Sequence, residues 1–172
     1  GADHQRHGQY SPDLTGKVDR FKAEKGRGKL VIAGEDEYSV IDSLILCKFS
    51  RGIWNYDDMA KTYTLVTGIP MTGKDLRLAG ERISNLARIY NLREGLGRAA
   101  DTVPIRCMKD PIKSGVAKGS VVTQEELDIL LDDYYEARAW TREGIPTKKK
   151  LEELGLRSYD KYTSEMMKES KA

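Results

Sequence analysis

The chain has 172 residues, with 29 Lys and Arg against 27 Asp and Glu, for a net charge of +2. A balance this close to neutral argues against a dedicated nucleic-acid grip, which needs a clustered basic excess. No apolar run reaches the roughly 18 residues of a membrane span. Two cysteines (Cys47, Cys107) and two histidines (His4, His7) exclude a disulfide framework and a self-contained four-thiolate metal site. No signal peptide is read at the start, and with so few cysteines a reduced, cytoplasmic setting is expected.

Residues 1–34 are rich in glycine, charge and turn formers, and read as an irregular lead-in with a short strand over 29–33. Residues 35–49, EDEYSVIDSLILCKF, carry acidic residues at the start and a dense apolar run after Val40. The run is too apolar for a surface helix and predicts a buried one, with a buried strand as the alternative. Asn55 or Asp57 caps a helix reaching Val66, which Gly68 and Pro70 end. Thr72 starts another, with apolar residues at helical spacing to about Leu92. Residues 93–122 show no clear period, a long excursion for a compact domain. Thr123 and Glu126 form a capping box opening a helix that carries Leu127 to Trp140. Thr147 caps a short helix through Leu154, closed by Gly155, and a polar tail begins at Arg157. The expected class is all-α, multihelical with long irregular connections. The chain divides into a lead-in (1–34), a helical domain (35–160) and a tail (161–172).

Six side chains are candidates for chemistry. Asp42 is a carboxylate inside an apolar run. It either accepts N–H groups of a bound ligand or turns to solvent. Cys47, five positions on, is either a small buried hydrophobe or a thiolate ligand. On a continuous helix the two point to different sides unless the helix ends between them. His4 and His7 are idle solvated residues or site residues, and Arg6 between them offers a planar donor fork. Arg106 pairs with a phosphate or carboxylate, or pins its loop through a salt bridge. Tyr134, Tyr135 and Trp140 read as core.

Residues 87–106 (ARIYNLREGLGRAADTVPIR) and 134–155 (YYEARAWTREGIPTKKKLEELG) resemble the C-terminal region of the tungsten- or molybdenum-dependent aldehyde:ferredoxin oxidoreductases. GADHQR at 1–6 resembles that family's Gly-(Ala/Gly)-x-His-(Ile/Leu)-(Arg/Lys) motif, and DSLILC at 42–47 its Asp-x-x-Gly-Leu-Cys motif. The resemblance implies a bis-pterin cofactor carrying tungsten or molybdenum and a 4Fe-4S cluster. Carried over by position, Asp42 binds pterin nitrogens, Leu46 lends backbone contacts and Cys47 is the fourth cluster thiolate. His4 takes part in proton transfer near the metal, and Arg6 contacts the pterin. The implied partners are N-terminal pterin-binding domains of the same enzyme, ferredoxin and a small aldehyde, with room for a homodimer. Two departures stand out: Ile45 replaces the motif's glycine, and Gln5 its aliphatic residue. The family's β-rich domain and its three other cysteines have no counterpart in this sequence, so the isolated chain is expected to be inactive. Two rival readings are a helical interaction module that has lost the cofactor, and a family member reducing another acid or a thioester.

Overall fold

A computed structural model describes residues 6–169, with side chains through residue 164. Eight α-helices follow in chain order among the described residues: α1 (Tyr10–Leu14), α2 (Arg27–Ser43), α3 (Tyr56–Thr67), α4 (Gly73–Arg93), α5 (Ile105–Lys109), α6 (Gln124–Ala137), α7 (Lys148–Glu153) and α8 (Asp160–Glu169). No strand forms among these residues, only isolated bridges pairing Arg51 with Trp54 and Trp140 with Pro146. The all-α class is as the sequence reads.

Four helix starts have the chemistry their sequences announce. Asn55 accepts from the Asp58 N–H at 2.9 Å, and Thr147 accepts from Lys150. Thr72 with Asp75, and Thr123 with Glu126, each close a full capping box. Hydrogen bonds from Thr72 and Thr123 hold the Asp75 and Glu126 carboxyls below the ordinary range, because they favour the charged form.

Several boundaries differ from the sequence reading. α2 begins at Arg27 and ends at Ser43, so residues 29–33 are helix rather than strand, and the apolar run leaves the helix at 44–47 before a single 3-10 turn at Lys48–Ser50. α2 packs on both α4 and α6. A helix covered on two sides shows no clean amphipathic period, which is why Val31 and Ile32 read as strand. α6 stops at Ala137, leaving Trp140 beyond it. The C-terminal stretch forms α8 and packs against α4, where the sequence reads as a polar tail.

Two apolar clusters hold the helices. Tyr38, Val40, Ile41, Met59, Ala60 and Leu76 join α2, α3 and α4, flanked by Leu44, Leu46, Trp54, Tyr56 and Met71. Ile89, Leu151, Leu154 and Leu156, with Tyr162 beside them, join α4 to α7 and α8. The α2–α4 crossing is tight: a Cβ on Gly80 would sit 2.3 Å from the Asp36 carbonyl oxygen, so only glycine lets the two backbones meet there.

Buried charge crosses the same layers. Arg138, 1% exposed, donates to Asp36 at 2.8 and 3.1 Å and to Glu35 at 2.9 Å. Ser84 donates to Asp36 at 2.9 Å, and the Tyr134 hydroxyl to Glu35 at 2.5 Å. Asp36 and Glu35 lie on α2, Ser84 on α4 and Tyr134 on α6, so the guanidinium ties α2 to α6 and Asp36 extends the network to α4. The start of the 93–122 excursion is pinned likewise. Arg88 pairs with Asp101 at 2.7 Å and donates to the Gly144 carbonyl at 2.8 Å. Arg98 donates to Asp132 at 2.6 Å and Asp128 at 3.0 Å. Tyr134, Tyr135 and Trp140 pack edge-on and tilted with centroids 5.6 to 6.2 Å apart, and the Trp140 indole N–H donates to buried Asn85 at 2.7 Å.

Candidate functional site

The C-terminal end of α2 decides where Asp42 and Cys47 stand. The Leu46 N–H bonds the Ile41 carbonyl and the Ile45 N–H bonds the Asp42 carbonyl, both at 3.0 Å. This pair of reversed bonds is a Schellman motif. Its left-handed position is held by Ile45, at φ +58°. Leu46 follows and packs on the first apolar cluster, fixing the direction in which the chain leaves. The helix therefore ends between Asp42 and Cys47. The turn removes the 1.4-turn offset that would separate them on a continuous helix.

Cys47 is exposed and outside any disulfide. Its carbonyl accepts from the Ser50 N–H at 2.9 Å and the Ser50 hydroxyl at 2.6 Å, so backbone bonds hold the turn while the thiol is left out of them. The Asp42 side chain is 48% exposed and its carboxylate pairs with the Lys48 ammonium at 3.0 Å. That ammonium lies 5.8 Å from the centroid of the Tyr38 ring. Asp42 is thus neither buried nor idle: it sits at the rim, with its charge balanced by the residue next to Cys47.

The lead-in segment is anchored against this same end of the fold. Arg51 donates to the Lys48 carbonyl at 3.1 Å and to the Tyr10 hydroxyl at 2.7 Å, linking the Cys47 turn to the start of α1. Gln9 donates to the Leu30 carbonyl at 3.1 Å. At Gly34 a Cβ would come 2.1 Å from the His7 carbonyl oxygen, so the segment lies directly on α2 where a side chain is missing. His7 Nδ1 accepts from the Gln9 N–H at 3.1 Å, a local bond that occupies one ring nitrogen. Arg6 is half-buried at the first described position; His4 lies outside the described residues. The segment that follows the first motif is joined to the Cys47 turn by Tyr10 and Arg51, neither of which the sequence singles out. No three His, Cys, Asp or Glu side chains gather into a metal site among the described residues.

Arg106 and Cys107 stand elsewhere, exposed on α5. Asp101 pins its loop through Arg88, whereas Arg106 does not serve as such a pin.

The family model described as aldehyde ferredoxin oxidoreductase, domains 2 and 3, matches residues 1–156. The chain belongs to the aldehyde ferredoxin oxidoreductase family. The tungsten-containing aldehyde ferredoxin oxidoreductases of Pyrococcus furiosus and Pyrococcus horikoshii are each 34% identical over 163 residues, which is 92% of this chain and 26% of the relative. That of Thermococcus kodakarensis is 32% identical over the same span. The chain thus spans about a quarter of the length of these relatives. Among solved structures it is similar to the active site complex BamBC of benzoyl coenzyme A reductase in complex with 1,5 dienoyl-CoA. The TM-score is 0.65 at 25% identity, over 84% of this chain and 21% of that one. No described helix is long and apolar enough to cross a membrane.

Ile45, where the resemblance expects a glycine, is costly in this fold. A β-branched residue in the left-handed region costs roughly 1–2 kcal/mol. Its side chain is 92% exposed, so little packing offsets that cost. Ile45→Gly is expected to stabilise the chain by up to about 1 kcal/mol once the added freedom of the unfolded glycine is subtracted. A thermal melt would register this as a rise of about 2–4 °C. A fall instead would mean that the isoleucine makes a stabilising contact.

Proposed function

We propose that this chain is the helical part of a tungsten- or molybdenum-pterin oxidoreductase that converts an aldehyde and water to a carboxylate, passing electrons through a 4Fe-4S cluster to ferredoxin. The observation that carries the reading is the turn at the end of α2, where an exposed carboxylate and an exposed thiol lie on either side of one Schellman motif. The donor set suits the groups in question. A thiolate is an iron–sulfur ligand, and a carboxylate whose charge is only partly neutralised accepts N–H groups of a heterocycle. When bound, the metal–pterin supplies two-electron redox chemistry and the cluster carries the electrons away singly.

The chain's own residues then have distinct tasks. Asp42 accepts pterin N–H groups, with Lys48 holding its carboxylate in place. Cys47 gives the cluster its fourth thiolate. Leu46 anchors the turn in the core so that its backbone faces the pterin, and Arg6 donates to the cofactor from the lead-in. The oxidation of an aldehyde and water releases protons, and His4 would take up one of them on its imidazole, a group suited to general acid–base work. Tyr10 and Arg51 hold the start of α1 to the Cys47 turn. Pterin cradle and remaining cluster ligands come from N-terminal domains of the same enzyme, in a reduced cytoplasmic setting, and a homodimer is compatible with this arrangement.

Two observations favour other readings. Ile45 in a strained position fits a module that has given up the cofactor, and the likeness to a benzoyl coenzyme A reductase complex fits reduction of a thioester. Metal analysis of the full-length enzyme, purified without oxygen from its source, separates them. Tungsten or molybdenum with about four irons per chain is the expected result, with benzaldehyde and a dye acceptor then reporting aldehyde oxidation. Metal-free full-length protein would sink the redox reading. Metal-replete protein inert to aldehydes but reducing an aromatic thioester would redirect it.

A further inference from the structure

The excursion over 93–122 builds more than a connection. Its second half is held by its own backbone: across a tight loop the Ile112 N–H donates to the Ser120 carbonyl at 3.2 Å, and the Ile112 carbonyl accepts from the Gly119 N–H at 2.8 Å. The Val122 N–H then returns to the Cys107 carbonyl at 2.9 Å. This ordered wall faces residues 20–27 across a cleft of about 1400 Å³, above the size of an ordinary small-molecule site.

The cleft has an apolar interior and a cationic rim. Phe21 on one side and Ile112 on the other are 47% and 49% exposed, beside Val121, Val122 and Leu130. Arg20 lies over the Phe21 ring at 5.1 Å from its centroid. Two rim cations are spoken for, since Arg27 pairs with Asp13 and Lys22 with Asp19. Arg20, Arg106 and Lys113 have no acidic partner among the described residues. The lining carries two carboxylates, Asp110 and Glu126, the latter held ionised by Thr123, so the three unpaired cations outnumber them and the cleft keeps a positive excess. Arg27 opens α2 and also lines the cleft. The cleft therefore lies at the opposite end of α2 from Asp42 and Cys47, about 24 Å away at 1.5 Å per residue.

We propose that this cleft binds an organic anion with a flat apolar body and a phosphate or carboxylate group, the body resting between Phe21 and Ile112 and the charge meeting Arg106 and Lys113. The unpaired guanidinium supplies a donor fork that suits either anion, and the exposed aromatic surface gives the body a place to stack. The site is independent of the redox reading and does not fall with it.

Calorimetric titration of the chain with AMP, benzoate and inorganic phosphate tests the proposal and separates the two anion types. Saturable binding of AMP or benzoate is expected, weakening with added salt. It should fall at least about ten-fold in Arg106→Glu/Lys113→Glu, as loss of a charge-assisted contact implies, and several-fold in Phe21→Ala. All three residues are exposed, so the variants should keep the wild-type circular dichroism. Absence of saturable binding by both AMP and benzoate at several millimolar would overturn the proposal, as would unchanged affinity in the double variant. Inorganic phosphate binding as tightly as AMP would remove the role given to the apolar body.

Discussion

Arg138→Ala is expected to destabilise the fold by about 3–5 kcal/mol, the usual effect of removing one partner from a buried ion pair. That is a large part of the roughly 5–15 kcal/mol that keeps a domain folded. The guanidinium is 1% exposed and meets Asp36, Glu35 and the Tyr134 hydroxyl at once. Alanine would leave a cavity and two carboxylates facing each other beneath α4 and α6. Burial already pushes the Asp36 carboxyl above its ordinary range, with Arg138 pulling the other way. Without Arg138 the carboxyl rises further. A group raised in the folded state contributes its stability below its unfolded value and loses it as pH climbs through the folded one. The variant's deficit should therefore be greatest at neutral and alkaline pH and shrink toward pH 3.8, the ordinary aspartate value. Urea titrations of both proteins across that range measure it. Arg138→Lys should recover only part of the loss, because one ammonium cannot span both carboxylates. A deficit below about 1 kcal/mol at neutral pH would show that the network does not hold α2 to α6.

Where local chemistry decides the structure, the sequence is legible. Thr72, Thr123 and Thr147 each sit before the helix they cap, because the cap is a bond between residues three apart. Where tertiary packing decides, it is not. α2 carries Gly28 and Gly34 inside it and is covered on two sides, so both its propensity and its period mislead. α8 is mostly polar in sequence, and it docks because Tyr162 packs on the Leu154 cluster. At the candidate site, the residues are visible in the sequence but their geometry is not. A glycine after Leu44 would have announced the end of the helix; Ile45 conceals it, and Asp42 and Cys47 then read as opposite faces of one element. Arg51 and Tyr10 belong to no motif, and only the folded chain shows that they clamp the start of α1 to the Cys47 turn. Arg106 falls between these cases. Its loop position is plain, but its freedom from any pinning acid depends on where Asp101 and Asp110 end up.

Cys47→Ser in the full-length enzyme should remove most of the about four irons of its cluster and, with them, electron delivery to any acceptor, while leaving this helical region folded. The two halves of that expectation rest on different observations. Iron is lost because a serine oxygen is a harder, weaker partner for the cluster than a thiolate. Folding is kept because the thiol is exposed and the turn is held by its backbone, through Ile41, Asp42 and Ser50, none of which touches the sulfur atom. The melting temperature of the isolated chain should accordingly move by less than about 2 °C, in the range of an ordinary surface substitution. Cys107→Ser is the matched control: it is equally exposed, lies on α5 away from the α2 turn, and should leave iron content unchanged. Iron analysis beside the visible absorption of the reduced and oxidised enzyme reads both variants. If Cys47→Ser retains its iron and its visible spectrum, the exposed thiol at the end of α2 is not a cluster ligand, and the turn's carboxylate alone would have to account for the site.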